Sequence, residues 1–373
     1  MIYLDYAANH PAEPTALERF CAVESAFPGN PNSNHPAGRA AKAELERVTA
    51  AAAQLLGAQP EEIIFTSGAT EANNLAIKGL TRASRHVGRH IISTALEHSS
   101  VSGSLTYLQE QGYEIDLVPI GRDGRVELEE FRALLRPDTV LCAVTAVDSE
   151  LGVVQPVAEM AEILQGFPNC RLHVDATQAI GRIPFPFEKV DTMALAAHKF
   201  GGLNGSGILV KRRELVLEPQ MHGGVSATLY RSGTPALALA ASTERALRLA
   251  LEGREAHWAQ VERLNQRLRA ELQKRPGVRI NSPADAVPYI LNVSVDGVRG
   301  TAFQRALAER KVCVSVKSAC SVEGTPSRAV FAVSRDRKNA LSSWRISLSW
   351  STTDEEITEF LRLFDECCQQ LRK

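Results

Sequence analysis

A lysine that closes an apolar run is the residue of this sequence best suited to covalent chemistry. Lys199 ends the stretch DTMALAAHK, and the Gly-rich stretch GGLNGSG follows it after Phe200. A lysine amine removed from water is less basic and forms Schiff bases readily, which is how enzymes hold pyridoxal phosphate (PLP). The local pattern favours this role over that of a solvated surface lysine.

Two polar side chains follow another strand-like run, in the segment RLHVDATQAIG. Asp175 ends the run and Gln178 comes three residues later. A carboxylate in this place either caps a helix or pairs with a protonated ring nitrogen of a cofactor. The segment alone leaves both interpretations open.

A glycine turn between a strand and a helix offers a site for a phosphate. In EIIFTSGATEANN, Gly68 lets the backbone approach a ligand, and the helix that begins near Ala69 presents unpartnered amides beside the Thr70 hydroxyl. The alternative is an ordinary capped turn.

An arginine and a cysteine near the C-terminal end complete the set of reactive candidates. SSWRISLSW alternates apolar and polar residues, so Arg345 lies on the polar face, where it either binds a carboxylate or is solvated. Cys320 lies in a loop of small residues, where a thiolate nucleophile is possible, whereas Cys313 is better explained as a core residue.

Alternating strands and helices must position these residues. The predicted strands are 62–65, 90–94, 114–119, 139–144, 171–174, 192–196 and 207–210, with helices over 70–80, 99–111, 128–135 and 157–164. This alternation predicts a mostly parallel seven-stranded sheet with helices on both faces. Ligands of such sheets bind beyond the carboxyl ends of the strands, where Asp175 and Lys199 are expected.

The pattern changes after Pro235. Residues 236–274 predict one long helix or two joined helices, with Gly253 as the weak point. Strands over 289–294, 312–316 and 344–349 and helices over 301–310 and 355–372 then predict a smaller α+β unit.

Composition limits the class of protein. The chain has 373 residues, of which 44% are apolar, and its 42 basic and 43 acidic residues give no basic surplus for nucleic acid. No apolar run is long enough to cross a membrane, and the N-terminus does not resemble a signal peptide. Seven cysteines without a C-x-x-C pair argue against a disulfide scaffold or zinc ribbon, so we expect a cytoplasmic protein without a metal site.

Taken in order, these segments resemble the cysteine desulfurases of the NifS/IscS group, within the class V aminotransferases of the fold-type I PLP enzymes. The similarity runs through YLDYAANHP, GNPNSNH, FTSGATEANNLAIKG, LEHSSV, ELGVVQP, HVDATQ, HK, MHGG, RSGT and SAC. It implies a large PLP-binding domain over 15–255 and a small domain made of 1–14 and 256–373, which carries the substrate arginine and the cysteine loop.

The resemblance also implies a role for each matching residue. Lys199 would bind PLP covalently and Cys320 would accept sulfur from L-cysteine, whose carboxylate Arg345 would bind. The residues implied to hold the cofactor besides Lys199 are Ala69, Thr70, His98, Asp175, Gln178, His198 and Thr234.

Within that set, Asp175 would pair with the ring nitrogen and Gln178 with the ring hydroxyl. His98 would stack on the ring and assist proton transfer. Ala69, Thr70 and His198 would hold the phosphate, while Thr234 would reach the phosphate of a partner subunit in a homodimer.

Two positions depart from the family pattern. Where the family has Asn-Asn-Glu this chain has Asp148-Ser149-Glu150, so the residue beside the substrate is the shorter Ser149. Ala196 replaces a phosphate-binding serine. We nevertheless expect an active enzyme, although one that could be slow or depend on a partner.

Alternatives and partners stay open at this point. The rival functions are a selenocysteine lyase, another class V transaminase or lyase, and a weakly active scaffold that relays sulfur. The acceptor of the sulfur is expected to be a protein, either an iron–sulfur scaffold or a tRNA-thiolating enzyme, with no direct contact to nucleic acid or membrane.

Overall fold

The computed structural model describes residues 1–185, 187–224, 226–317 and 324–371. Its strands are β1 (Ile2–Tyr3), β2 (Ile63–Thr66), β3 (His90–Thr94), β4 (Glu114–Val118), β5 (Thr139–Thr145), β6 (Arg171–Asp175), β7 (Thr192–Ala196), β8 (Gly207–Lys211), β9 (Val278–Ile280), β10 (Ile290–Val295), β11 (Val312–Cys313) and β12 (Ser343–Ser347). The predicted strands of the first 211 residues are all present, with ends that shift by no more than one residue.

The helices are α1 (Pro14–Ala26), α2 (Pro36–Leu56), α3 (Ala69–Ala83), α4 (Ser99–Glu110), α5 (Leu128–Leu134), α6 (Val157–Leu164), α7 (Leu237–Glu252), α8 (Arg254–Gln273), α9 (Gly300–Glu309), α10 (Arg328–Ser334), α11 (Arg337–Ser342) and α12 (Asp354–Leu371). The predicted helical stretch 236–274 is two helices that meet at Gly253. None of the helices in the described ranges is both long and apolar enough to cross a membrane.

A seven-stranded sheet forms the centre of the fold, which confirms the predicted class. Its strand order is β2-β8-β7-β6-β5-β3-β4. β8 runs antiparallel to β2 and β7, and the other neighbours are parallel. The inner strands are buried along their whole length, because helices cover both faces of a parallel sheet.

Two smaller sheets join the ends of the chain. β12, β10 and β9 form an antiparallel sheet, and β1 pairs with β11 in parallel. The strand predicted over 312–316 is shorter in the structure, where β11 ends at Cys313. Ser347 N also donates to the carbonyl of Leu4 at 2.8 Å, so the first residues of the chain lie beside β12 and Arg345.

Candidate active site

A cleft of about 370 Å³ lies beyond the carboxyl ends of β5, β6 and β7. This is where a parallel sheet places its ligand. Nine of the residues predicted from sequence line it: Ala69, Thr70, His98, Ser149, Asp175, Gln178, His198, Lys199 and Arg345. Segments that are far apart in sequence therefore meet in one cavity.

Lys199 is held at the end of a single helical turn that follows β7. This turn is the 3-10 helix Ala197–Lys199. Its Nζ donates to the carbonyl of Ala7 at 2.9 Å and to that of Ala8 at 2.6 Å. Burial, and then the charges of Arg345 and Arg182, lower the pKa of Lys199 to about 8. The fraction of this amine that is neutral and nucleophilic near neutral pH is therefore far larger than for an ordinary lysine.

Asp175 is the last residue of β6 and is 5% exposed. Its Oδ1 accepts from the amide of Thr177 at 3.0 Å, and its Oδ2 accepts from Asn73 Nδ2 at 2.8 Å. The carboxylate therefore stabilises the turn that follows β6. The sequence left a helix cap as one option for Asp175 and a cofactor partner as the other. Asp175 also lines the cleft. Both oxygens are hydrogen-bonded acceptors, which suits an ionised carboxylate facing a cationic ring nitrogen.

Two histidines line the cleft near Lys199. His98 caps α4, since its Nδ1 accepts from the amide of Ser100 at 3.2 Å. Burial lowers the pKa of His98, and burial together with the charge of Lys199 lowers the pKa of His198 to about 4. Both rings are therefore neutral at physiological pH, as a ring that stacks on a cofactor and moves protons requires.

The beginning of α3 forms one end of the cleft. Gly68, with φ of 144°, precedes the helix, and the first helical bond runs from Ala72 N to the Gly68 carbonyl at 3.1 Å. The amides of Ala69 and Thr70 precede that bond, so they have no acceptor within the helix. A Cβ at Gly207 would lie 2.6 Å from Gly68 Cα, which is why β8 needs a glycine where it passes the turn.

The amide of Gln178 is held from both sides. Its Nε2 donates to the carbonyl of Ala7 at 2.9 Å, and its Oε1 accepts from Arg182. Arg182 is 6% exposed and lies over the ring of Tyr289, 5.3 Å from its centroid. Because Arg182 takes the oxygen, the NH₂ group is the part of Gln178 left to donate to a ligand.

Arg345 is buried, with 2% exposure, so the solvated arginine that the sequence left open is wrong. Its Nη2 lies 2.9 Å from Asp5 Oδ1, and its Nη1 donates to the carbonyl of Ser149 at 2.8 Å. Within the described part of the chain its Nε has no partner. A guanidinium has five N–H donors, so this one keeps donors for a carboxylate in the cleft.

Ser149 lies between the cleft and a second cavity of about 390 Å³. Three acidic residues line this second cavity, namely Glu97, Asp148 and Glu150. Burial raises the pKa of Glu97 to about 8 and, with the charge of Glu150, that of Asp148 to about 7. Lys317, Thr325 and Arg328 line its other side.

Among the predicted site residues that the structure describes, Thr234 is not brought into the cleft. Thr234 is exposed, and its side chain lies 3.5 Å from Asn30 Nδ2. Cys320 lies outside the described residues. The described residues nearest to it in sequence are Lys317 and Gly324, and Lys317 Nζ donates to Thr325 Oγ1 at 2.6 Å.

Three residues of the site had no predicted role. Asp5 and Asn73 belong to the quoted motifs YLDYAANHP and EANN, but nothing in those motifs tells which side chain they contact. Arg182 lies in a turn, where a basic residue is usually solvated, so no pattern in the sequence marks it. Their contacts to Arg345, Asp175 and Gln178 depend on the tertiary fold.

Comparison with known proteins agrees with this geometry. The family model described as aminotransferase class-V matches residues 2–360. A NifS/IcsS protein homolog from Lactobacillus delbrueckii subsp. bulgaricus is 37% identical, over 100% of this chain and 98% of its own length. The cysteine desulfurase IscS of Dechloromonas aromatica is also 37% identical, over 100% of this chain and 93% of its own.

Solved structures give the same assignment. A NifS-like protein superposes with a TM-score of 0.93 at 33% identity, covering 99% of this chain and 100% of that one. A NifS-like protein from Rickettsia africae does so with a TM-score of 0.88 at 28% identity, covering 99% of both chains. With the match over nearly its whole length and a lysine, an aspartate and an arginine together in one cleft, the chain belongs to the class V aminotransferase family of PLP-dependent enzymes.

Proposed function

We propose that this chain is a PLP-dependent cysteine desulfurase, which removes sulfur from L-cysteine, releases L-alanine and keeps the sulfur as a persulfide on Cys320. The observation that carries the proposal is the meeting of Lys199, Asp175 and Arg345 in one cleft. These side chains supply a nucleophilic amine, a partner for a cationic ring and a carboxylate binder. The relatives named cysteine desulfurase support the same choice of reaction.

The residues of the cleft fit PLP. Lys199 would bind its aldehyde carbon, Asp175 its ring nitrogen, and the amides at Ala69 and Thr70, with His198, its phosphate. The turn at Gly68 supports this, because a helix N-terminus reached through a glycine is a good phosphate site. Bound there, PLP supplies an electron sink for negative charge at the Cα of an amino acid.

The substrate cysteine would be oriented by Arg345. Its buried guanidinium binds the α-carboxylate, and the depressed pKa of Lys199 suits that amine to take and return the Cα proton. His98 is a second neutral group in the cleft, and its ring can donate a proton. The geometry therefore supports one carboxylate-binding and two proton-transferring groups around a small amino acid.

The sulfur step belongs to Cys320. The thiolate attacks the sulfur of the bound cysteine, so that a sulfur–sulfur bond forms and the bond from that sulfur to Cβ breaks. The electron pair goes to Cβ, which takes up a proton, and alanine leaves. The position of Lys317 and Thr325 on the second cavity, which meets the cleft at Ser149, supports access from this segment.

The arrangement of subunits and the destination of the sulfur are part of the proposal. Thr234 is exposed on this chain, as expected of a side chain that reaches the phosphate of a partner subunit in a homodimer. An iron–sulfur scaffold or a tRNA-thiolating enzyme in the cytoplasm would take the persulfide sulfur. Residues 15–255 would form the PLP-binding domain, and 1–14 with 256–373 the small domain.

Purified protein with L-cysteine tests the proposed reaction. We expect a yellow protein that forms alanine from L-cysteine and that releases the persulfide sulfur as sulfide when a thiol reductant is added. Lys199→Ala should lose both the colour that borohydride bleaches and the alanine. Lys211→Ala is the matched control, since Lys211 donates to main-chain carbonyls at the end of β8 that is remote from the cleft.

Two outcomes would contradict the proposal. A higher kcat/KM for selenocysteine than for cysteine would make the chain a selenocysteine lyase. Alanine formation by Lys199→Ala would refute the role of Lys199.

A further inference from the structure

A buried asparagine lies directly behind Asp175. Asn73 is on α3 with no exposed surface, and it does not line the cleft. Its Nδ2 lies 2.8 Å from Asp175 Oδ2 and 2.8 Å from Ser100 Oγ. One amide therefore contacts both the carboxylate of the cleft and the helix that His98 caps.

The orientation of this amide is fixed by its neighbours. An ionised carboxylate only accepts hydrogen bonds, so the NH₂ group must face Asp175, and its second hydrogen faces Ser100. The amide oxygen then accepts from His173 Nε2 at 2.9 Å, while His173 Nδ1 accepts from Thr192 Oγ1 at 2.9 Å. Burial lowers the pKa of His173 to about 4, which keeps that ring neutral and its single hydrogen on Nε2.

The same amide directs the hydroxyl of Ser100 toward His98. Because Ser100 Oγ accepts from Asn73, its own hydrogen is free to go to His98 Nδ1, which lies 2.9 Å away. The amide of Ser100 also donates to that nitrogen at 3.2 Å. With two donors facing it, Nδ1 is an acceptor, and the hydrogen of the neutral ring is on Nε2.

We propose that Asn73 is a positioning residue that holds the Asp175 carboxylate toward the cofactor and, by directing the Ser100 hydroxyl, adds a second donor to His98 Nδ1. The inference deepens the proposed function and rests on it only for the identity of the cofactor. Asn73 touches neither substrate nor cofactor. It acts on the two side chains that would contact the ring, one at its nitrogen and one at its face.

Two variants separate the two branches of this network. Asn73→Ala removes the bonds to both Asp175 and Ser100, whereas Ser100→Ala keeps the bond to Asp175 and removes the hydroxyl that faces His98. Asn74→Ala is the matched control, because this neighbouring amide bonds the helix carbonyl of Thr70 at 2.9 Å instead. None of the measurements below uses L-cysteine, so failure of the desulfurase assignment cannot be mistaken for failure of this one.

The first measurement is the pH titration of the visible absorbance of the PLP-loaded protein. Asn73→Ala should move the midpoint upward by about one pH unit or more, because Asp175 loses a donor to its charged form. When Asp175 stabilises less positive charge on the cofactor ring, the Lys199 nitrogen bound to the cofactor becomes more basic, and this raises the midpoint. Ser100→Ala and Asn74→Ala should leave the midpoint within a few tenths of a unit of wild type.

The second measurement is the ¹⁵N NMR spectrum of the histidine rings in the cofactor-free protein. Wild type and Ser100→Ala should both show His98 with its hydrogen on Nε2, because the Ser100 amide still donates to Nδ1 in the variant. Loss of the hydroxyl donor should shift the Nδ1 resonance downfield in this variant, as expected of an acceptor with one hydrogen bond fewer. An unchanged midpoint in folded Asn73→Ala, or an unchanged Nδ1 resonance in Ser100→Ala, would overturn the proposal. If Asn73→Ala does not fold, the result for Ser100→Ala still decides the branch to His98.

Discussion

Arg345, which lines the cleft, forms an ion pair with Asp5, with 2.9 Å between Nη2 and Oδ1. Arg345 is 2% exposed and Asp5 19%. Ser315 Oγ donates to the other carboxylate oxygen at 2.8 Å. The first residues of the chain therefore hold the guanidinium that would bind the substrate, and this pair stabilises an otherwise uncompensated buried charge.

Asp5→Asn should destabilise the protein in the absence of substrate. The variant loses free energy of unfolding because Arg345 keeps its charge and loses its counterion. The loss should lie between the ~1 kcal/mol of an exposed ion pair and the ~3–5 kcal/mol of a fully buried one. The product alanine brings a carboxylate and should restore more stability to this variant than to wild type. Thermal unfolding with and without alanine measures both effects, and equal shifts in the two proteins would contradict the pairing.

The amine of Lys199 should become reactive near pH 8. Its pKa lies below the ordinary 10.5 because burial disfavours the charged form and Arg345 adds repulsion. The neutral amine is the reactive form, so the rate at which cofactor-free protein captures PLP should rise with pH and level off above pH 8. Borohydride trapping at a series of pH values measures this rate. A rise that continues to about pH 10, where an ordinary lysine titrates, would mean that the amine is solvated.

Ala196→Ser should strengthen the binding of PLP. Ala196 ends β7, lines the cleft and is 1% exposed, so a hydroxyl there can face the phosphate. A hydrogen bond to a charged group is worth ~1.5–3 kcal/mol, which corresponds to an affinity gain of about tenfold or more. Equilibrium dialysis of PLP against both proteins gives the ratio of the dissociation constants. Equal dissociation constants for the two proteins would mean that the phosphate binds elsewhere in the cleft.

Glu97→Gln should make stability less dependent on pH. Burial raises the pKa of Glu97 from 4.5 to about 8, so the folded state binds this proton more tightly than the unfolded state does. Wild type therefore loses stability as pH rises from about 4.5 through 8. The amide of the variant would be neutral at every pH, and its oxygen would still accept from Thr94 Oγ1 and Thr145 N.

Urea unfolding of wild type and Glu97→Gln at about pH 5, 7 and 9 measures this slope. The free energy of unfolding of Glu97→Gln, relative to that of wild type, should increase from the lowest pH to the highest. A constant difference across the series would mean that Glu97 is ionised in the folded protein throughout.

The central sheet and most of the cleft could be predicted from sequence because their signals are local. Apolar runs marked β3 and β7 with the correct bounds, and Asp175 and Lys199 each follow such a run. The helices α1 and α2 were not predicted, although each begins with proline at its first turn. Short strands such as β11 depend on pairing with a distant segment, which no local pattern reveals.

Contacts between segments could not be predicted in the same way. The sequence left Arg345 either solvated or carboxylate-binding, and only the approach of Asp5, 340 residues away, decides that it is buried. Likewise, the role of Asn73 depends on α3 meeting both β6 and α4 behind the cleft. Polar side chains in the interior are matched to particular partners, and those partners are known only from the fold.

The most direct test of the account is to locate both covalent marks on one protein. PLP-loaded enzyme is reduced with borohydride, a second sample is exposed briefly to L-cysteine and alkylated, and peptides of both are analysed by mass spectrometry. We predict a pyridoxyl group on Lys199 and one additional sulfur on Cys320, with the sulfur absent from Cys320→Ser and retained in Cys313→Ser. A pyridoxyl group on another lysine, or persulfide on another cysteine, would contradict the account.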